Sequence, residues 1–155
     1  MSLTCEVTWP EETRFAIIRT GLVLAGDGGV LGKMLLPFKL GAGGVLGSGS
    51  QYMSWIHELD WTAMVSWLIR DERADGAFNV TAPSPVTNRE FTRALGRALH
   101  RPTVIPVPAF ALRLALGELS AALLTGQRVL PQHAEQLGFQ FQYAKLDAAL
   151  ASLNL

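Results

Sequence analysis

The sequence predicts an α/β fold that lacks the opening β-α-β unit of a nucleotide-binding domain. Three observations lead there. An apolar run, Phe15 to Ile18, reads as a buried strand; ten of the fifteen glycines fall between Gly21 and Gly49, directly behind it; and strand-like and helix-like stretches then alternate toward a helical tail. Such a glycine tract normally lies in the middle of a nucleotide-binding fold, yet nothing ahead of Phe15 has the glycine spacing of a nucleotide loop.

Each element has its own signal. Arg14 to Thr20 is expected as a strand covered on both faces, because Phe15, Ile17 and Ile18 are β-formers in a nearly continuous apolar run, and Gly21 ends it. Val30 to Leu40 crowds Met34, Leu35 and Phe38 into a short helical stretch. Gln51 to Ile56 reads as a second strand leading into a helix capped by Asp60, with Trp61, Met64, Val65 and Leu68 on one face. Ala77 to Val80 is a short strand closed by Pro83, Ser84 and Pro85. Thr87 and Glu90 then form a capping box, Val86 and Phe91 are spaced for a hydrophobic staple, and Phe91, Ala94, Leu95, Ala98 and Leu99 supply the stripe of a helix that stops before Pro102. Thr103 to Val107 reads as a strand, Pro108 to about Leu116 as a helix interrupted by Gly117, and a second helical piece continues up to Leu124. Pro131 opens a short helix closed by Gly138. Phe139 and Phe141 alternate with Gln140 and Gln142 like a half-buried strand, and Leu146, Ala149, Leu150 and Leu153 stripe a last helix.

Composition narrows the function classes. A length of 155 residues suits one domain of ordinary size, and thirteen basic against thirteen acidic residues leave no broad electrostatic case for nucleic acid or an anionic membrane as partner. The single cysteine, Cys5, has no disulfide or metal-ligand companion, which fits a reducing cytoplasm. No apolar run reaches the roughly 18 residues needed to span a bilayer.

The glycine tract fails both phosphate-loop patterns. Gly26, Gly28 and Gly32 are one residue too widely spaced for the dinucleotide fingerprint, and around Lys33 the P-loop pattern has Asp27 at its first glycine and Met34 in place of the magnesium-binding hydroxyl. The repeated Gly-Gly-Val-Leu-Gly at Gly28 and Gly43 is an echo in two copies, not a structural repeat. His57, His100 and His133 lack ligand spacing, so no metal site is expected. No serine sits in a nucleophile elbow, and neither Tyr52 nor Tyr143 is followed four residues later by lysine, so no catalytic residue is assigned.

Taken together, Arg19-Thr-Gly-Leu-Val-Leu24, the Gly-Gly-Val-Leu-Gly echo, Ser54-Trp-Ile-His-Glu-Leu-Asp60, Phe78 through Asn88, Arg128-Val-Leu-Pro131 and Gly138-Phe139 resemble one family. It is the C-terminal half of NAD(P)-dependent epimerase/dehydratase-like proteins, atypical members of the short-chain dehydrogenase/reductase group also described as nucleoside-diphosphate-sugar epimerases. The resemblance implies the C-terminal part of a Rossmann-like fold: residues 1–107 as its substrate-side half and 108–155 as a small, mostly helical C-terminal domain. It implies that Thr20, Gly21 and Leu22 lie near the nicotinamide of the cofactor, and that Lys33, Met34, Gln51 and Met53 line the substrate side. Alternatives stay open: Met34 in the core, Lys33 in solvent, Arg19 tying its loop. His57 and Asp60 fall at the family's strand-to-helix corner, where structural work is expected. NADP(H) or NAD(H) is implied for the intact protein, with none bound by this chain alone, together with a small-molecule substrate such as a nucleotide sugar. The chain is then a catalytically inactive fragment; the alternative is a non-enzymatic module that binds another chain. Under either reading an unfinished parallel sheet exposes an edge suited to self-association or a homodimer.

Overall fold

A computed structural model describes residues 13–26, 28–103 and 126–155. The strand and helices expected between Thr103 and Leu124, and the domain boundary between 107 and 108, lie outside the described residues. In chain order the elements are β1 Ala16–Thr20, β2 Leu22–Leu24, α1 Gly29–Lys39, β3 Tyr52–Met53, β4 Trp55–His57, α2 Glu58–Arg70, β5 Gly76–Val80, β6 Val86–Thr87, α3 Asn88–Ala98, α4 Gln132–Gln136 and α5 Leu146–Ser152.

Strand β1 pairs in parallel with β5, Ala16 opposite Gly76 and Thr20 opposite Val80. At Gly21 the chain changes partner. The Gly21 N–H still donates to the Val80 carbonyl (3.1 Å), the Leu22 N–H donates to the Ser54 carbonyl (2.8 Å), and β2 continues in parallel with β4. Only glycine fits at this crossing, since a Cβ would come within 2.6 Å of the Ser54 oxygen and 2.8 Å of Thr81 Cγ2. The single strand expected over Gln51 to Ile56 is divided at Ser54, because β3 pairs antiparallel with β6 while β4 pairs with β2.

Strand β4 separates two apolar clusters. Adjacent residues of a strand point to opposite faces. Trp55 enters a cluster with Leu31, Phe38, Phe91, Leu95 and Leu150, whereas Ile56 enters another with Met64, Leu68, Phe78 and Ala134. Residues 126–155 contribute to both: Leu146, Ala149, Leu150 and Leu153 to the first, Ala134 and Phe139 to the second.

The capping box of α3 forms as spaced: Glu90 Oε2 accepts from the Thr87 N–H (2.7 Å), and the Glu90 N–H donates to Thr87 Oγ1 (3.3 Å). Val86 and Phe91 pack in the same cluster, which is the staple. Pro131 precedes α4, and Gly138 takes φ +93° behind it.

Three expectations are corrected. Strand β1 is not covered on both faces; all five of its residues are exposed, Ile17 by 59 %, and α2 leaves an open groove between Val65, Leu68 and Ile69 and the strand's Ala16 and Ile18. Asp60 is not the cap of α2. The cap is His57, three residues earlier, whose Nδ1 accepts from the Leu59 N–H at 3.1 Å. Phe139 to Gln142 is not a strand: the Gln142 and Tyr143 N–H groups donate to the Asp60 carboxylate, both at 2.8 Å, instead of to a neighbouring strand.

Candidate functional site

Ligands of open parallel sheets bind beyond the carboxyl ends of the strands. At the carboxyl ends of β1 and β5 lies a cleft of about 620 Å³, within the size range of small-molecule sites. Arg19, Thr20 and Gly21 come from the end of β1, Asn79 and Thr81 from the end of β5, and Ser54 from the break between β3 and β4. The remaining wall is the segment from Gln127 to Leu130, with Gln132 behind it.

That segment is strapped to the sheet by side chains chosen from its polar ends. Ser54 Oγ donates to the Gln127 carbonyl (2.8 Å) and accepts from the Val129 N–H (2.9 Å). Asn79 Nδ2 donates to the Leu130 carbonyl at 3.0 Å. Gly126 lies against the Tyr52 backbone, where a Cβ would collide with the Tyr52 carbonyl. Arg128 then places its guanidinium carbon 6.0 Å from the Tyr52 ring centre, at the outer limit of a cation–π contact. Among the described lining residues the charged side chains are Arg19 and Arg128, and no carboxylate is among them.

The corner where β4 meets α2 is the other polar cluster, and it is structural. His57 and Asp60 are each 2 % exposed. Because His57 Nδ1 accepts a backbone N–H, its proton sits on Nε2, facing Ser152 Oγ at 3.1 Å, while the serine hydroxyl donates to the Ala149 carbonyl (2.8 Å). Burial pushes the imidazole below its ordinary value of 6.5, against the opposing pull of Glu58 and Asp60. Tyr143 stacks on the ring at 4.0 Å. Histidine, serine and aspartate thus meet here without forming a catalytic triad, since the aspartate holds the Gln142 and Tyr143 backbone and not the imidazole.

The residues singled out in the sequence are dispersed. Thr20 and Gly21 line the cleft, and Trp61 Nε1 donates to Thr20 Oγ1 (3.3 Å). Leu22 lies behind them, half-buried and opposite Trp55. Lys33 is exposed on α1; Met34 is buried in the first cluster. Gln51 Nε2 donates to the Leu46 carbonyl (3.0 Å), and Met53 is buried, its sulfur 3.3 Å from Asn88 Nδ2. None of these last four lines the cleft. Sequence reasoning missed Ser54, Asn79, Thr81 and Arg128 as members of one site. The available signal was polar residues at the carboxyl end of an otherwise apolar strand, Asn79 and Thr81 around Val80. Among the described residues no three His, Cys, Asp or Glu side chains gather as a metal site, and no helix is long and apolar enough to cross a membrane.

Comparison with known proteins agrees on one kind of relative. Residues 107–153 match a family model described as a domain of unknown function, DUF1731. An epimerase family protein of Staphylococcus aureus (strain MRSA252) is 45 % identical over 141 residues, covering 91 % of this chain and 47 % of the relative. The chain therefore spans about half the length of the curated relatives it matches. The crystal structure of human epimerase family protein SDR39U1 (isoform 2) with NADPH superposes with a TM-score of 0.86 at 39 % identity, over 92 % of this chain and 50 % of that one. The UDP-N-acetylglucosamine 4-epimerase of Bacillus cereus, 13 % identical with a TM-score of 0.63 over 89 % of this chain and 44 % of that one, shares the fold. The chain is homologous to the C-terminal half of epimerase family proteins, and its α/β architecture is the corresponding part of a Rossmann-like short-chain dehydrogenase fold.

Proposed function

We propose that this chain is the substrate-side half of a cytoplasmic NADP(H)-dependent epimerase, dehydratase or reductase, inactive until joined to the half that carries the dinucleotide loop. The observation that carries the reading is the polar cleft at the carboxyl ends of β1 and β5, where parallel sheets bind ligands. At that side Thr20 and Gly21 line the cleft, and the space a side chain would take at Gly21 is filled by Ser54 and Thr81. NADP(H), when bound, supplies or accepts a hydride. Thr20, Gly21 and Leu22 keep the nicotinamide side, and Lys33, Met34, Gln51 and Met53 the substrate side, with Lys33 as the exposed member of the four. The substrate class is a small molecule such as a nucleotide sugar.

The exposed apolar side chains of β1, which pairs among the described residues with β5 alone, favour a partner there. Under the leading reading the partner is the half that carries the dinucleotide loop. A non-enzymatic module that takes a second copy or another chain at this edge is the other reading. Both are tested by mixing this chain with the segment of the S. aureus relative that it does not match, following NADPH fluorescence and light-scattering mass. Saturable NADPH binding by a one-to-one complex, absent from this chain alone, is expected. A folded mixture that binds no NADPH would overturn the enzyme reading, and a homodimer unaffected by the added segment would favour the module.

A further inference from the structure

A separate basic pocket lies at the end of α3 and shares no lining residue with the cleft. Its volume is about 520 Å³, and its charged side chains are Arg93, Arg97, His100 and Arg101. We propose that this pocket binds the polyphosphate group of a small ligand, gripped by the three arginines. The inference goes beyond the functional reading above and does not rest on it.

The backbone brings these groups together against their mutual repulsion. Arg93 and Arg97 stand one turn apart on α3, a spacing at which like charges repel. The chain then reverses: the Arg101 N–H donates to the Gly96 carbonyl (2.9 Å), and the His100 N–H donates to the Arg97 carbonyl (3.1 Å). Gly96 permits the return, since a Cβ there would come within 2.5 Å of Thr103 Cγ2 and 2.9 Å of the Arg101 oxygen. His100 makes the turn at φ +53°, the one non-glycine residue with positive φ among the described residues, in a place where glycine carries no strain. A side chain is thus kept where the backbone would do better without one, and such strain clusters at binding sites.

The charge is also left unbalanced. Asp147 pairs with Arg97 at 2.6 Å, and the dipole of α3 favours a cation in its last turn, which is again Arg97. Neither accounts for Arg93 or Arg101, which have no ion pair among the described residues, and no carboxylate lines the pocket. A multivalent anion would replace the repulsion with charge-assisted bonds to planar guanidiniums. A formal net charge of zero gives a long polyanion no broad field to follow, so the ligand is a short one.

The test is a titration of the 155-residue chain with inorganic tripolyphosphate at constant ionic strength, followed by amide NMR. Saturable shifts are expected at Gly96, His100, Arg101 and Thr103. The amides of Gly21 and Val129 report the cleft separately. Arg93→Gln and Arg101→Gln are each expected to weaken binding by about tenfold, Arg101→Lys to restore part of it, and the exposed Arg70→Gln on α2 to change nothing. His100→Gly is expected to raise the midpoint of urea unfolding while weakening binding about threefold, a pair of opposite signs that a purely structural histidine would not give. The same spectra report whether each variant is folded. Tighter binding of ATP than of tripolyphosphate, with larger shifts at Thr103, would support the proposal with a nucleotide as the source of the polyphosphate. Equal affinity would support it with the polyphosphate chain alone recognised. Absence of saturable shifts, shifts confined to Gly21 and Val129, or folded Arg93→Gln and Arg101→Gln chains that bind as the parent does would each overturn it. Equal binding of acetate would do so too, because it would make the pocket a generic anion surface.

Discussion

All five residues of β1 are exposed and all three of β4 are buried, although both strands are apolar in sequence and both belong to parallel pairs. Strand β4 is covered by its own chain: Trp55 faces the cluster that includes α1, α3 and α5 residues, and Ile56 the cluster that includes α2 and α4 residues. Strand β1 has β5 at one edge and is tied down by Arg14, which donates to the Leu68 and Ile69 carbonyls at the end of α2 and to the Ala74 carbonyl in the loop before β5. An apolar strand is therefore a statement about the cover a fold needs, and the cover itself comes from elsewhere.

The sharpest way to break this contrast is a matched pair of truncations. Ile56→Ala is expected to cost about 4 kcal/mol and Ile17→Ala less than about 1 kcal/mol in urea unfolding of this chain. Similar losses would mean that β1 is covered in solution, and a concentration-dependent midpoint would identify a second copy as the cover.

The β4–α2 corner offers the next effect. Asp60→Ala leaves two backbone N–H groups without an acceptor and is expected to cost about 3 kcal/mol, with Asp60→Asn losing roughly half as much. Faster amide exchange at Gln142 and Tyr143, with the amides of β1 unchanged, would locate the loss.

A smaller effect is set by pH. His57 binds its proton less readily when folded, so the unfolded chain takes up more protons as pH drops. Stability is therefore complete above the unfolded value of 6.5 and declines as pH falls from there toward the lower folded value. In His57→Asn, which keeps a capping acceptor but does not titrate, this part of the decline is expected to vanish while stability at pH 8 changes little. An unaltered pH profile would show that His57 does not carry it.

The smallest expected change is a gain. Thr92 Oγ1 is buried in α3 without a hydrogen-bond partner, so Thr92→Val is expected to raise stability by about 1 kcal/mol, read from the same urea curves.

Local rules carried most of the element pattern. Helix α3 follows from Thr87 and Glu90 with an apolar stripe between Phe91 and Leu99, and the stripe of Leu146, Ala149, Leu150 and Leu153 is buried as spaced. The site was less legible. Family resemblance implies Thr20 and Gly21 near a nicotinamide and says nothing of a cleft, while Arg128 stands more than a hundred residues away in the chain and reaches the cleft only through Ser54 and Asn79.

By itself the sequence determined where helices start and stop and which side chains are apolar, because caps, breakers and periodicity act within a few residues. Only the tertiary structure decided that Asp60 caps a segment some eighty residues later instead of its own helix, that Gly21 is where the chain changes strands, and that the residues of β1 are exposed. Those outcomes depend on what else occupies the space beside a residue. Hydrogen-bond partners and apolar cover come from remote parts of the chain, and no local pattern encodes which of them arrive.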